Sequence, residues 1–141
     1  MRDYRPNYTE YGISVERLKE LRAYCYQYPE WLAEANSLVG VGAQKYSDMP
    51  HGTDVGDPVG RAVERRAVLL NKAATVQRVA RTVGEGRWYT ALIQHCCMGK
   101  SWDDIEKALM PTSNRNEFYK MRRMFYLLLH VTLDEESQQF D

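Results

Sequence analysis

Three observations predict an all-α protein with a long central helix. Apolar residues recur at three- and four-residue steps in the N-terminal third and again from residue 59 onward. Side chains that cap helices stand at the heads of those runs, and Pro and Gly punctuate the intervals between them. The 141 residues suit one ordinary domain, and a hydrophobic content of 44% with 27% charged residues is that of a chain that folds.

The first element opens at Ser14, an N-cap residue, and carries apolar positions from Val15 through Leu18, Leu21, Cys25, Tyr28 and Trp31 to Ala35. Pro29 pushes the residue before it out of the helical region, so a kink or a break is expected at Tyr28. The aromatics of "YCYQYPEW" then read as a packing seam rather than a ligand cage, because aromatic residues at helical spacing usually serve a core. Residues 39–56, "VGVGAQKYSDMPHGTDVG", hold four glycines and a proline without helical or alternating pattern and read as a linker. A GxG within them lacks the preceding strand that a nucleotide loop requires.

The second part opens with Asp57 as N-cap and Pro58 at the first helical position, where the missing N–H costs nothing. The helix that follows should run about 25 residues, or some 37 Å at 1.5 Å per residue. Val59, Ala62, Val63, Leu70, Val76 and Val83 belong to a broad apolar surface, while Arg61, Arg65, Arg66, Lys72, Arg78 and Arg81 stay mostly outside. Such a helix serves as a scaffold or as the seam of a homodimer.

Beyond Gly84 and Gly86, three more helices can be bounded. Trp88, Ala91, Leu92, His95 and Cys96 share one side of a short helix that stops at Gly99, a residue suited to the left-handed position past a helix end. Ser101 caps the next helix at the amide of Asp104, and Asp103 and Asp104 suit its positive end. Trp102, Ile105, Ala108 and Leu109 give that helix a narrow buried stripe about two turns long. The turn "MPTS" ends it, and Ser113 or Asn114 restarts the chain, with Asn114 and Glu117 spaced as in a capping box. Phe118, Met121, Phe125, Leu128 and Leu129 of the last helix should face inward, leaving Arg115, Asn116, Tyr119, Lys120, Arg122 and Arg123 on its other sides.

A short helix, a tight turn and a longer basic helix are the helix-turn-helix arrangement. Asn and Arg in the first turns of the second helix can make paired hydrogen bonds to adenine and guanine, and Lys120 and Arg123 are placed for phosphates. The candidate contacts to double-stranded DNA are therefore Ser113, Asn114, Arg115, Asn116, Tyr119, Lys120, Arg122 and Arg123. Charge agrees with that placement, since residues 1–57 carry a net −3, residues 58–130 a net +7 and residues 131–141 a net −4. The expected organisation is an N-terminal helical segment over 1–38, a linker over 39–56, a central helix with the DNA-binding unit over 57–133 and an acidic tail over 134–141.

Other functions find no support in the residues. No apolar run reaches the roughly 18 residues of a membrane span, and the N-terminus lacks a secretory h-region, which points to the cytoplasm and to no membrane partner. Three cysteines cannot build a disulfide framework. His95, Cys96 and Cys97 are contiguous and point roughly 100° apart on a helix, so no metal site is expected. Neither a nucleophile elbow nor a Walker loop occurs, so no catalytic residue and no cofactor is assigned, and the chain is not expected to be an enzyme.

The run Trp102, Ile105, Leu109, Ser113, Phe118, Tyr119, Arg122, Arg123, Phe125 and Leu128 resembles the C-terminal half of phage-encoded transcriptional regulators of the RinA and ArpU type, themselves similar to region 4 of sigma factors. The upstream "MPHGTDVGDPVGRAVERR" is similar to their Pro/Gly-rich connection and Asp-Pro-led central helix, and "LKELRAYCYQYPEW" to their N-terminal helix. The resemblance spans most of residues 14–130. It implies an all-helical regulator that binds phage promoter DNA and switches on late or packaging genes, with host RNA polymerase as a partner. The acidic Asp103 and Asp104 and the tail "DEESQQFD" depart from a bare sigma-like module. Two further readings stay open: a packaging factor of the small-terminase kind, which would assemble as a ring, and a helical interaction module that binds no DNA.

Overall fold

The computed structural model describes residues 12–40, 57–109 and 115–139, and these form helices without a strand. In chain order they are α1 (Val15–Tyr26), α2 (Tyr28–Ser37), α3 (Pro58–Val83), α4 (Arg87–Cys96), α5 (Trp102–Leu109) and α6 (Arg115–Gln139). The all-α expectation therefore holds. Among the described residues no helix is long and apolar enough to cross a membrane. Most of the expected linker and the "MPTS" turn lie outside the described residues.

Local chemistry accounts for the helix ends. The Arg17 amide donates to Ser14 Oγ at 3.0 Å, which satisfies one of the orphan donors of α1. The expected interruption falls at Gln27, and Pro29 sits in the first turn of α2, where an N–H has no intrahelical partner anyway. α3 opens at Pro58, with the Arg61 amide donating to the Asp57 carbonyl at 2.9 Å. Gly84, between α3 and α4, has room for no side chain, because a Cβ there would come within 2.7 Å of Trp88 Cβ. α4 is followed by Gly99 at φ +74°, a backbone shape that glycine adopts without strain, and the Lys100 amide closes the turn on the Gln94 carbonyl at 3.0 Å. At α5 the Asp104 amide donates to Ser101 Oγ at 3.3 Å, the cap expected from sequence.

Two units divide the chain, and the division falls inside α3 rather than in the Gly/Pro-containing segment. One unit holds α2 and α3 up to Thr75; the other holds α1, α3 from Val76 and α4 to α6. In the first unit the buried Tyr28 and Trp31 meet edge to face with centroids 6.5 Å apart, and Lys72 Nζ lies 5.8 Å from the Trp31 ring. Arg65 grips both carboxylate oxygens of Glu34 at 2.7 and 3.2 Å, which lowers the pKa of Glu34 and raises that of Arg65. Both groups are exposed, so the pair adds little stability.

α3 departs from expectation in its first half. Its apolar surface is buried only from Leu69 onward, whereas Val63 and Val68 are 61% and 46% exposed. Periodicity marks a face as apolar; it does not supply a partner to cover it.

The second unit carries the site. Leu21 and Cys25 of α1, Val76 and Val79 of α3, Ala91 and Leu92 of α4, Ile105 of α5 and Leu129 of α6 are all buried. Arg17 ties α1 to the far end of α6, donating from Nε to His130 Nδ1 at 3.0 Å and pairing with Asp134 at 3.0 Å. Arg78 and Glu136 approach to 3.7 Å, and the acidic segment from residue 134 continues α6 as far as Gln139.

Candidate nucleic-acid interface

Phe118, in the first turn of α6, is fully buried, and its ring organises the surroundings. Trp102 of α5 stacks on it with centroids 4.8 Å apart, Trp88 of α4 lies parallel at 6.5 Å, and His95 presents its edge at 5.1 Å. Two helices, α4 and α5, therefore fix the start of α6 through one side chain. With Phe118 turned inward, the helical step of roughly 100° per residue assigns every neighbour a direction.

The eight predicted contact residues do not share one face. Asn116, Lys120 and Arg123 lie roughly 140–160° from Phe118 and form the outward row. Asn116 and Lys120 are exposed and Arg123 is half-buried. Arg115, Tyr119 and Arg122 lie within roughly 100° of Phe118 and, with Tyr126, form a second row along the flank. Ser113 and Asn114 lie outside the described residues.

The flank row is a ladder of alternating guanidinium and phenol. The Arg115 guanidinium lies 5.4 Å from the Tyr119 ring and that of Arg122 at 5.6 Å, with Arg122 also 5.9 Å from the Tyr126 ring. Arg115 donates to the Tyr119 hydroxyl at 3.4 Å, which raises its pKa, with smaller contributions from Asp103 and Glu106 of α5. The acids on α5 thus temper the positive field at Arg115. Arg122 is half-buried, and its Nε is sealed from solvent without an acceptor among the described residues. Arg122 thus lies on a different side of α6 from Asn116 and Lys120.

Behind the ladder lies chemistry that sequence spacing does not reveal. His95 Nδ1 is 2.8 Å from the Lys100 carbonyl oxygen. Burial, reinforced by the charge of Arg122, lowers the pKa of His95 to about 4 against the opposing pull of that carbonyl. The ring is therefore neutral at physiological pH and donates its Nδ1 hydrogen to Lys100. The consecutive residues His95, Cys96 and Cys97 diverge as expected: His95 meets Phe118, Cys96 meets the Tyr126 hydroxyl, and Cys97 hydrogen-bonds Cys25 of α1. Burial pushes the Cys96 thiol up to about 12, and the bond to Cys97 followed by burial raises Cys25 further. Cys25 and Cys96 stay protonated, and all three buried thiols act as small core groups.

Several inward positions of α6 and α5 differ from the sequence pattern. Tyr126, absent from the expected core, is fully buried, whereas Met121 and Leu128 are only half-buried and Ala108 is exposed. A tyrosine with a hydroxyl partner packs inside as readily as Phe, and that partner, Cys96, lies thirty positions away. These features define an all-helical protein with a cationic surface on its last long helix. No protein-family model, curated protein or solved structure matches the chain.

Proposed function

We propose that the chain is a sequence-specific regulator that binds double-stranded DNA, with α5 and the start of α6 as a sigma region 4-like helix-turn-helix. The observation that carries this reading is the polarity of one helical turn. Phe118 is sealed against Trp88 and Trp102, while Asn116 and Lys120 on the opposite side stand exposed. A buried aromatic anchor holds the helix at a fixed angle, and an outward row of amide and ammonium groups faces a major groove. Asn116 and Arg115 would read base edges; Lys120 and Arg123 would meet phosphates on either side. By resemblance to the RinA and ArpU type, the regulated genes are phage late or packaging genes, read by host RNA polymerase in the bacterial cytoplasm.

Replacing Arg115 and Asn116 together by Ala is expected to abolish discrimination between a selected site and random duplex while leaving helical content unchanged. Footprints on fragments of the parent genome, with circular dichroism alongside, test this; an unaltered footprint contradicts the groove assignment. Lys120→Ala and Arg123→Ala are each expected to weaken binding to every duplex and to flatten the dependence of affinity on salt by about one counterion.

The packaging-factor reading keeps one supporting observation, the exposed Val63 and Val68 on α3, which subunits of a ring could cover. Native mass decides between them, since a ring is expected only for the packaging factor.

A further inference from the structure

α6 changes character along its length. Its first half carries Arg115, Lys120, Arg122 and Arg123 against one acid, Glu117, its last turns carry Asp134, Glu135 and Glu136, and apolar side chains stand between. Met124 and Val131 are 46% and 49% exposed, and Leu127 is half-buried. Lys120, Met124, Leu127, Val131 and Glu135 follow one another at steps of three and four residues, so they form one stripe, roughly 100–180° from Phe118. α1 reaches α6 at His130, one helical step of roughly 100° from Val131, and the stripe stays uncovered.

Lys120 and Glu135 are exposed at the two ends of the stripe, and neither makes an ion pair among the described residues. A cation at one end, an anion at the other and apolar side chains between complement the same stripe reversed. An antiparallel copy sets each Lys120 against a Glu135, whereas a parallel copy sets lysine against lysine and glutamate against glutamate. α3, whose length suggests a seam, presents Arg61, Arg66, Arg78 and Arg81 against the single acid Glu64 and lacks that symmetry.

We propose that α6 docks a second copy of this chain, with the two α6 helices antiparallel about a twofold axis beside Leu127 and Leu128. Met124 then meets Val131 of the partner subunit, Leu127 meets the partner's Leu128, and Lys120 pairs with the partner's Glu135. Each contact occurs twice, as an isologous interface requires. Covering the exposed apolar middle drives association, and the charged ends fix direction and register. Packed helices lie about 8–10 Å apart, a separation that the long lysine and glutamate side chains bridge. The docking does not rest on the DNA-binding reading, but it bears on it. Lys120 also belongs to the outward row, so a copy docked here withholds that ammonium from a DNA phosphate.

The test follows the mass of the full chain by sedimentation equilibrium across a concentration series. The expected result is a passage from 16.4 kDa to twice that mass, with no larger species. Lys120→Glu and Glu135→Lys, each alone, set like charges face to face at both symmetry-related contacts and should raise the dimer dissociation constant roughly tenfold or more. Combining the two reversals restores opposite charges and should return the constant to within about threefold of the unmodified chain. Val131→Asp, at an exposed position, should retain helical content by circular dichroism and lose the dimer. A mass fixed at 16.4 kDa up to the solubility limit, a ring, or a dimer indifferent to the single reversals or to Val131→Asp overturns the docking. So does a double reversal that fails to restore association. A chain that dimerises as expected and binds no duplex leaves the docking standing and overturns the DNA-binding reading alone.

Discussion

Phe118→Ala is expected to lower the unfolding free energy by about 3–5 kcal/mol, the range for removing a buried aromatic side chain. The ring is fully buried, with Trp102 at 4.8 Å, Trp88 at 6.5 Å and the edge of His95 at 5.1 Å. Those neighbours come from two other helices whose backbones are held elsewhere, so the surroundings can close only partly over the void. Aromatic pairing adds to the loss, at about 0.5–1.5 kcal/mol per well-placed pair. Against a typical total of roughly 5–15 kcal/mol, such a loss leaves a marginal fold. Urea denaturation measures it: the midpoint should fall with little change in slope. Phe118→Leu, which retains more volume, should lose less. A deficit below about 1 kcal/mol for the alanine variant would mean that α6 is not anchored through this ring.

The second large effect is on pH dependence. Folding favours the neutral form of His95, whose pKa falls to about 4 from an ordinary value near 6.5. An unfolded chain takes up this proton as pH drops through about 6.5, whereas the folded chain resists until about 4. The contribution of His95 to stability is therefore complete above about 6.5 and is lost as pH falls from there toward about 4, by roughly 3 kcal/mol at most. Wild-type protein should lose stability across this window, and His95→Gln should lose less, because no imidazole is left to charge. Titration of the ring by NMR supplies the direct reading, with an expected midpoint near 4. A midpoint near 6.5 in the folded protein would show that the ring is neither desolvated nor held beside Arg122.

Much of the helical framework is legible from local chemistry. Ser14 and Ser101 cap the helices they were assigned to, Pro58 opens α3, and Gly99 takes the left-handed turn past α4. In each case the interacting groups lie within a few residues, so spacing alone identifies them. Phe118, Phe125 and Leu129 are buried as their three- and four-residue steps indicate. The pattern fails where a position depends on what lies opposite. Val63 fits the apolar stripe of α3 yet is exposed, and Tyr126 falls outside the stripe of α6 yet is buried beside Cys96.

The candidate interface divides in the same way. That Asn116 and Lys120 oppose Phe118 follows from the helical period once the anchor is known. That Arg122 belongs with Tyr119 and Tyr126 on the flank does not. Likewise Arg17 with His130, and Cys25 with Cys97, are pairs that no short window contains.

The sequence by itself determined which segments are helices, where they start and stop, and which residue types crowd the first turns of the last one, because caps and periodicity act within one or two helical turns. Only the tertiary structure decided which apolar positions are covered, which imidazole is held neutral, and which guanidinium lies against two tyrosine rings. Those properties depend on desolvation and on charges brought together through space, from side chains separated by up to about a hundred positions along the chain.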